Sequence, residues 1–419
     1  MITRLTVSAF KGLRKFSIEP QRVNLLIGAN GTGKTNFADL IAFIANLGPQ
    51  GLASTIQSSG GLAQVRTRQP GAGTPYRLQL ELQLDEDRSR GIRSAAYHFA
   101  LAQAKEIKVQ QEKLEAVVYK RRPGKPAKQG FPRFDYDQSI QLTYKREGST
   151  ITDWCEALGP PITEFDNDQE LILAAYGRLG ELRTLTDYLG SWRVYNIDAA
   201  IVKQSTGGSD LELERFGANL VPFVAKMLHD DKIRAQLMND LQEAVPYIQK
   251  IEPDRVLTYQ TLRFLEQDSR VEFQLPEMSD GTIRLLGLLA MLRQRVPPAL
   301  VVIEEPENAL HAHAVQHFLS VARQVTMQPA FASQLFFTSH SPAVVDGMLN
   351  IEAMRETNWQ TACFVTQRRP KSPAIVPAPP EVMKAIANNL GRPSDFQREG
   401  DFGDEPVQLP LPLDTPKVE

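Results

Sequence analysis

The sequence has few cysteines and no long apolar run, and these absences exclude whole classes of protein. Among 419 residues there are two cysteines, Cys155 and Cys363, which are far apart and lie in no paired metal-binding spacing. Two thiols cannot form a disulfide scaffold, so we expect a reduced intracellular compartment. Nowhere do about 18 apolar residues follow one another, and charges interrupt the N-terminal residues every few positions. We therefore expect a cytoplasmic protein with no signal peptide and no membrane contact.

The chain also has almost no net charge. A formal charge of −2 excludes a globally basic nucleic-acid binder, although it leaves room for a local basic patch. Hydrophobic residues make up 42% of the chain and charged residues 23%, which is ordinary for a globular protein with a substantial core. The informative features are therefore local motifs.

The clearest motif is a glycine-rich loop with the complete pattern G-x-x-x-x-G-K-T. An apolar strand, Val23–Ile27, precedes it, and an amphipathic helix, Lys34–Asn46, follows it. We expect this helix to end at the helix-breaking residues Gly48, Pro49 and Gly51. Backbone N–H groups of such a loop and the helix N-terminus bind phosphate, while the lysine reaches the β- and γ-phosphates and the last hydroxyl ligates Mg²⁺. The matching context disfavours an ordinary glycine-rich turn. The predicted nucleotide-binding residues are Gly28, Ala29, Asn30, Gly31, Thr32, Gly33, Lys34 and Thr35.

A second motif places two acids at the end of an apolar run. Leu300–Ile303 predicts a buried central strand, and Glu304 and Glu305 follow it directly. Open α/β sheets bind ligands at the carboxyl ends of their strands. One carboxylate can hold magnesium and the other can polarise the attacking water. Solvated acids at a strand end are the alternative, which the presence of the phosphate loop disfavours.

Two further segments lie close to these acids in the chain. Phe336–Thr338 is an apolar strand that delivers His340 to its end, and Ser279–Gly281 stands directly before an apolar helix, Ile283–Leu292. A structural histidine is the alternative for the first segment. An ordinary helix start, with Ser279 or Asp280 as the N-cap, is compatible with phosphate binding for the second.

In this order, the four elements resemble those of the ATP-binding-cassette ATPases, specifically the RecF/SMC-like, AAA-family branch found in DNA repair and bacterial anti-phage systems. Its members carry a phosphate loop, then much later a signature segment, an acidic strand and a switch histidine. The opening Phe10–Leu13 also looks like the strand-turn of this branch that lies near the nucleotide, so Lys11 is expected at the nucleotide. The resemblance implies an α/β fold: an ABC-type P-loop NTPase head with an antiparallel β subdomain and a mostly helical insertion.

The resemblance implies that ATP and Mg²⁺ are the cofactors and that two heads sandwich two nucleotides. Ser279, Asp280 and Gly281 of one protomer would face the γ-phosphate bound by the other protomer. Glu305 would be the catalytic base, and His340 would contact the γ-phosphate.

Magnesium would be held by Thr35 and Glu304, and the chain departs from its relatives here. Many relatives carry Asp at the position of Glu304, and the signature reads Ser-Asp-Gly-Thr instead of Ser-Gly-Gly. For the glutamine that usually senses magnesium, Gln64 and Gln69 are both candidates.

The motifs, and the glycine- and proline-rich stretches between them, divide the chain into five predicted parts. These are an N-terminal P-loop lobe (1–75), an antiparallel β subdomain (76–155) with a basic loop (119–133), a mostly helical insertion (156–255), a C-terminal ATPase lobe (256–367) and a Pro-rich C-terminal segment with a tail (368–419).

The basic loop is the one candidate for DNA contact. It contains Lys120, Arg121 and Arg122 and no acidic residue. Such a loop can contact phosphates of double-stranded DNA, and the alternative is a solvated loop that happens to be basic.

We expect an ATPase that forms a homodimer on ATP binding and couples hydrolysis to DNA engagement or to control of a separately encoded nuclease or effector. The alternative is a regulatory scaffold that cages a partner nuclease or toxin without binding DNA. A transporter's cytoplasmic subunit fits less well, because the N-terminal strand-turn, the long insertion and the segment Glu304–Glu307 point away from transport.

Overall fold

The computed structural model describes the chain over residues 1–67, 76–103, 106–124, 131–204, 212–256, 259–267, 272–328, 331, 333–349, 361–367, 374–388, 392–399 and 402. Among these residues no helix combines the length and the apolar character needed to cross a membrane.

The strands β1 to β16 form three sheets. They are Ile2–Phe10, Leu13–Ile18, Val23–Ile27, Tyr76–Leu84, Ile92–Gln103, Ile107–Arg121, Phe134–Glu147, Thr150–Trp154, Arg193–Tyr195, Ile248–Val256, Tyr259–Glu266, Glu272–Gln274, Leu300–Glu304, Gln334–Ser339, Thr361–Thr366 and Ile375–Pro377.

The α-helices α1 to α13 pack on and between these sheets. They are Lys34–Gln50, Leu52–Ser58, Leu62–Val65, Ile172–Tyr176, Leu182–Gly190, Ala199–Gln204, Leu220–Met227, Asp231–Ala244, Asp280–Arg293, Ala312–Thr326, Pro342–Met348, Pro380–Ala387 and Pro393–Glu399.

The first sheet has six strands in the order β16-β15-β3-β14-β13-β9. All run parallel except β16. The central strands β3, β14 and β13 are buried along their whole length, as expected for a parallel sheet covered on both faces, and alternate residues point to opposite faces. Leu25 therefore belongs to a core with α7 to α11, whereas Leu26 belongs to a core with α1, α5 and the second sheet.

The second sheet is antiparallel and has seven strands in the order β2-β1-β4-β5-β6-β7-β8. It includes β1 and β2, so strands from the predicted 1–75 lobe and from the predicted 76–155 subdomain share one sheet. The hairpin of β10 and β11, which belongs to the third, three-stranded sheet, likewise spans residue 255. The division at these residues remains a prediction.

The middle of the chain, predicted as a mostly helical insertion, contains five of the described helices, α4 to α8, and also contributes a strand to the first sheet. Between helices α5 and α6, residues Arg193–Tyr195 form β9, which pairs in parallel with β13. A strand of three residues is too short to show periodicity, which is why the sequence did not reveal it.

Helix α1 is also longer than predicted. It continues through Gly48 and Pro49 to Gln50. Gly48 packs against Thr186 of α5 so closely that a Cβ at Gly48 would lie 2.5 Å from the Thr186 side chain. This close packing of two helices outweighs the helix-breaking tendency of the two residues.

Candidate functional site

The predicted phosphate loop connects β3 to α1 and takes a conformation that requires glycine. Gly31 and Gly33 have φ angles of 79° and 123°, in the region that L side chains rarely adopt. A Cβ on Gly28 would lie 2.7 Å from the backbone oxygen of Thr366, at the end of β15. The Thr32 hydroxyl is also 2.6 Å from the Thr366 hydroxyl. The end of β15 therefore holds the loop in place.

Lys34 begins α1, and its side chain is almost completely buried in the loop. Its Nζ donates to the backbone oxygens of Gly28 at 2.7 Å and Ala29 at 3.1 Å. No side chain caps the helix at Gly33, and the first N–H groups of a helix have no partner within it. Thr35 is exposed on the first turn. The arrangement presents one cation and a helix N-terminus at the same loop.

The sheet order brings the predicted acids and histidine to the same edge as this loop. Ile27 of β3 pairs with Ser339 of β14, and Thr338 pairs with Glu304 of β13. Neighbouring strands lie about 4.8 Å apart, so β3 and β13 are separated by roughly 10 Å with β14 between them. His340 follows β14 directly and thus lies between the loop and the acids.

Glu304 is only 3% exposed, and a chain of alternating charges compensates its carboxylate. Arg215 donates to Glu304 Oε1 from its NH2 group at 2.5 Å and from Nε at 3.2 Å. The same guanidinium donates to Asp39 Oδ1 at 2.7 Å, and Lys11 donates to Asp39 Oδ2 at 2.7 Å. Burial raises the pKa of Glu304, and Arg215 opposes that shift.

Glu305 points into a more open environment. Its φ of 44° is unusual for a residue with a side chain, and its N–H donates to the Thr338 oxygen at 2.9 Å. The Asn308 amide donates to Glu305 Oε2 at 2.8 Å. His340 Nδ1 lies 3.8 Å from Glu305 Oε1 and equally far from Glu307 Oε1. His340 therefore lies between the carboxylates of Glu305 and Glu307.

Glu307 fixes the end of β14 next to these groups. Its Oε1 accepts from the Ser339 hydroxyl at 2.6 Å and from the His340 N–H at 3.4 Å. Glu307 thereby orients the backbone that carries His340.

The predicted signature segment forms the start of α9 and packs against the acidic loop. Ser279 is the N-cap, and its Oγ accepts from the Thr282 N–H at 3.1 Å. Asp280 forms an ion pair with Lys203 at 2.7 Å. A Cβ on Gly281 would lie 2.6 Å from the Ala309 backbone oxygen. Only glycine permits this approach.

Arg284 connects the same helix to the acidic strand. It is 6% exposed and donates to the backbone oxygens of Glu304 at 3.1 Å and Glu305 at 2.8 Å. It also donates to the Ile197 backbone oxygen, just after β9. The signature segment and the two acids are therefore held as one unit.

The basic segment differs from the sequence interpretation, which placed Lys120 and Arg121 in a protruding loop. Both residues belong to β6, which extends to Arg121. Arg121 forms an ion pair with Asp187 at 2.7 Å, and Arg122 with Asp135 at 3.2 Å. Lys120 donates to the Gln138 amide oxygen at 3.2 Å.

The remaining candidates are Lys11 and the two glutamines proposed to sense magnesium, Gln64 and Gln69. Lys11 directs its ammonium group at Asp39, not at the loop. Gln64 is exposed on α3, and Gln69 lies outside the described residues.

The sequence analysis missed Asp39, Arg215 and Arg284. Asp39 could have been found, because it lies four residues after Thr35 on the same face of α1. Nothing in one sequence connects Arg215 to Glu304 across 89 positions, and Arg284 stands in an apolar helix where the pattern predicts only core.

Comparisons with known proteins identify a family and a fold for this chain. The family model described as "AAA domain, putative AbiEii toxin, Type IV TA system" matches residues 23–346. An SMC head bound to the C-terminal winged-helix domain of ScpA is 12% identical with a TM-score of 0.52, over 91% of this chain and 98% of that chain. No curated protein matches the sequence.

Two further SMC heads are similar over nearly the whole chain. One, from Thermotoga maritima, is 12% identical over 90% of this chain and 99% of that chain, with a TM-score of 0.42. The other carries an extended coiled coil and is bound to the C-terminal domain of ScpA derived from Pyrococcus furiosus. It is 11% identical over 93% of this chain and 99% of that chain, with a TM-score of 0.49. We base the fold assignment on the first SMC head: the chain has the fold of an α/β P-loop ATPase head.

Proposed function

The chain belongs to the AAA-domain family whose model matches residues 23–346, as an SMC/RecF-like AAA ATPase, and from that premise we propose that it binds ATP with Mg²⁺ and hydrolyses it. The observation that carries the proposal is the convergence of Lys34, His340, Glu304 and Glu305 at one edge of the parallel sheet. Ligands of open α/β sheets bind at this edge.

The loop accounts for phosphate binding. In the proposal, the Lys34 ammonium group gives up its hydrogen bonds to the backbone oxygens of Gly28 and Ala29 and donates to the β- and γ-phosphates instead. The N–H groups of the loop donate to phosphate oxygens. The uncapped start of α1 adds its favourable partial charge.

The residues at the acidic strand fit Mg²⁺. Glu304 offers a carboxylate and Thr35 a hydroxyl, both oxygen ligands that this ion prefers. Asp39 lies one turn after Thr35 on α1, and one guanidinium group spans Asp39 and Glu304. These contacts connect Glu304 to the first turns of α1, where Thr35 lies, and in the proposal a cation held by Thr35 and Glu304 would neutralise charge on the phosphate oxygens.

For hydrolysis, we assign the base to Glu305. Its carboxylate accepts a proton from water while the water oxygen bonds to the γ-phosphorus, and the bond from that phosphorus to the β–γ bridging oxygen breaks to release ADP. Asn308 orients the carboxylate, and His340, held by Glu307, donates to the γ-phosphate. Arg284 holds the backbone of both acids during the reaction.

The proposal includes an ATP-dependent homodimer, because the start of α9 is placed beside the acidic loop and would face a second nucleotide in trans. Ser279 and Gly281 would meet the γ-phosphate of the partner protomer. The dimer would couple hydrolysis to engagement of double-stranded DNA or to control of a separately encoded nuclease or effector.

A second candidate function, a regulatory scaffold that cages a partner without binding DNA, is favoured by the ion pairs of Arg121 and Arg122. Paired cations release fewer counterions on binding DNA. One SMC head of the same fold binds the winged-helix domain of ScpA, which supports a protein partner for such a head.

The test is an ATPase assay of the purified protein with and without linear DNA, at fixed salt. Release of phosphate that requires Mg²⁺ supports the enzymatic proposal, and its absence in both conditions contradicts it. Strong stimulation by DNA supports DNA engagement, whereas indifference to DNA supports the scaffold. Light scattering of Glu305→Gln with and without ATP tests the dimer.

A further inference from the structure

Arg215 occupies an unusual place in this site. It lies on the segment 212–219, directly before α7, and its guanidinium group reaches both α1 and β13. Its Nε and NH2 groups both donate to the same oxygen, Glu304 Oε1, whereas NH1 donates to Asp39. The carboxylate that we propose as the magnesium ligand is thus already neutralised by a cation of the chain itself.

The backbone at Arg215 is fixed, so the side chain reaches Glu304 from a defined direction. The Arg215 backbone oxygen accepts from the Asn196 N–H at 2.8 Å, next to β9. Within the segment, the fully buried Asn219 accepts from the Glu214 N–H at 2.8 Å and donates to the Glu212 oxygen at 2.6 Å. With its backbone held in this way, rotation of the Arg215 side chain is the simplest way to release Glu304.

The electrostatics explain why such a cation is present. The Glu304 side chain is only 4% exposed, whereas that of Arg215 is 26% exposed. An almost buried carboxylate without a compensating charge is strongly destabilising. Mg²⁺ would supply that compensation during nucleotide binding, but two cations on one carboxylate repel each other.

Asp39 offers Arg215 an alternative position. It can keep its bond to Arg215 when Glu304 is released, and its other oxygen is held by Lys11. Rotation about the outer bonds of one side chain would be sufficient.

We propose that Arg215 is a resident counter-cation of Glu304, which neutralises this carboxylate when the nucleotide site is empty and gives it up to Mg²⁺ while remaining bound to Asp39. The inference rests on the proposed function, in which Glu304 ligates Mg²⁺. The inference adds that Arg215 and Mg²⁺ compete for Glu304. The Mg²⁺ concentration needed for nucleotide binding is therefore higher than it would be without Arg215.

The test measures binding of a non-hydrolysable ATP analogue to the full chain by calorimetry across a series of Mg²⁺ concentrations. In Arg215→Gln the competitor is gone, so the Mg²⁺ concentration for half-maximal binding should fall by about tenfold. Arg215→Lys keeps one charge but cannot bridge two carboxylates, and should lie between Arg215→Gln and the wild type. Arg263→Gln is the matched control, because Arg263 pairs with two acids on β10 and β12, away from this site.

Thermal unfolding without nucleotide gives an independent readout. Arg215→Gln should melt at a lower temperature than the wild type. Millimolar Mg²⁺ alone should raise the melting temperature of Arg215→Gln by more than it raises that of the wild type. Because Arg215→Lys retains a charge beside Glu304, it provides the binding measurement if Arg215→Gln does not fold.

The outcomes separate the two proposals. If Glu304→Gln raises the Mg²⁺ requirement but both Arg215 variants leave it unchanged or raise it, the counter-cation inference is wrong and the magnesium assignment stands. If Glu304→Gln leaves the requirement unchanged, Glu304 is not the ligand, and both proposals fail at this residue.

Discussion

The edge of the parallel sheet and the end of the antiparallel sheet at Lys120–Arg122 both gather charged residues, but only the first buries them. Glu304 and Lys34 are 3% and 5% exposed, whereas the side chains of Arg121 and Arg122 are 24% and 57% exposed. A buried charge costs stability unless it is compensated, and an exposed ion pair contributes little. The buried charges are therefore the stronger indication of function.

Burial alone is not sufficient, as the interior of the antiparallel sheet demonstrates. Glu112 and Arg146 form a fully buried ion pair. Glu112 also accepts from the hydroxyls of Tyr97 and Tyr144 at 3.0 and 2.8 Å, and from two backbone N–H groups. This network is closed on all sides and is structural. The Glu304 network instead lies next to Glu305 and His340, whose side chains are 30% and 44% exposed.

The largest effect is expected from Lys34→Ala, which would remove the buried cation from the parallel edge. We expect nucleotide affinity to fall on the order of 1000-fold, because charged hydrogen bonds to two phosphates are lost, about 4 kcal/mol in all. Calorimetry with the non-hydrolysable analogue measures this loss. The control is Lys15→Ala, an exposed lysine on β2. Equal affinities of the two variants would contradict the assignment of the phosphate loop.

A second prediction separates the two acids at the same edge. Glu305→Gln removes the base but leaves the buried network intact, so ATP and Mg²⁺ should still bind while hydrolysis slows by about 100-fold or more. Glu304→Gln should instead weaken magnesium-dependent binding. Phosphate release and analogue binding are measured for both variants. If Glu305→Gln turned over normally while Glu304→Gln bound normally but were inert, the two roles would have to be exchanged.

Local patterns predicted the fold class and the main motifs, because a glycine loop after an apolar strand and acids after a second strand depend on neighbouring residues. The α/β P-loop ATPase fold is confirmed by the SMC head comparison, and the branch by the family model. What the sequence could not predict depends on tertiary contacts. Arg215 meets Glu304 only through the fold, β9 is too short for a pattern, and α1 passes Pro49 because α5 packs on it.

A third prediction concerns the closed network in the antiparallel sheet. Arg146→Met leaves Glu112 buried without its partner, which should lower the free energy of unfolding by about 3 kcal/mol. Nucleotide affinity of the remaining folded protein should not change. Denaturant unfolding and analogue calorimetry below the transition measure the two quantities. A change in affinity comparable to that of Lys34→Ala would mean that the two regions are coupled, and the comparison between them would fail.

The smallest effect is expected from the basic end of the antiparallel sheet, in the triple variant Lys120→Ala, Arg121→Ala and Arg122→Ala. If these residues contact DNA phosphates, affinity should fall evenly across DNA sequences, and the slope of log affinity against log salt should flatten by up to about 0.9 for each lost contact. The change should be smaller than three full contacts would give, because Asp187 and Asp135 already offset two of the charges.

The single variants sharpen this last prediction. Lys120 donates to the neutral amide of Gln138, whereas Arg121 is already paired with Asp187. Lys120→Ala should therefore flatten the slope of log affinity against log salt more than Arg121→Ala does. Basal ATPase activity should stay unchanged in all of them, because the segment is at the end of β6 in the antiparallel sheet, whereas Lys34 and Glu305 follow β3 and β13 of the other sheet. Fluorescence anisotropy with two unrelated duplexes at several salt concentrations measures both affinity and slope. If neither changes in the triple variant, these residues are a solvated, paired surface, and the scaffold becomes the better account of the protein.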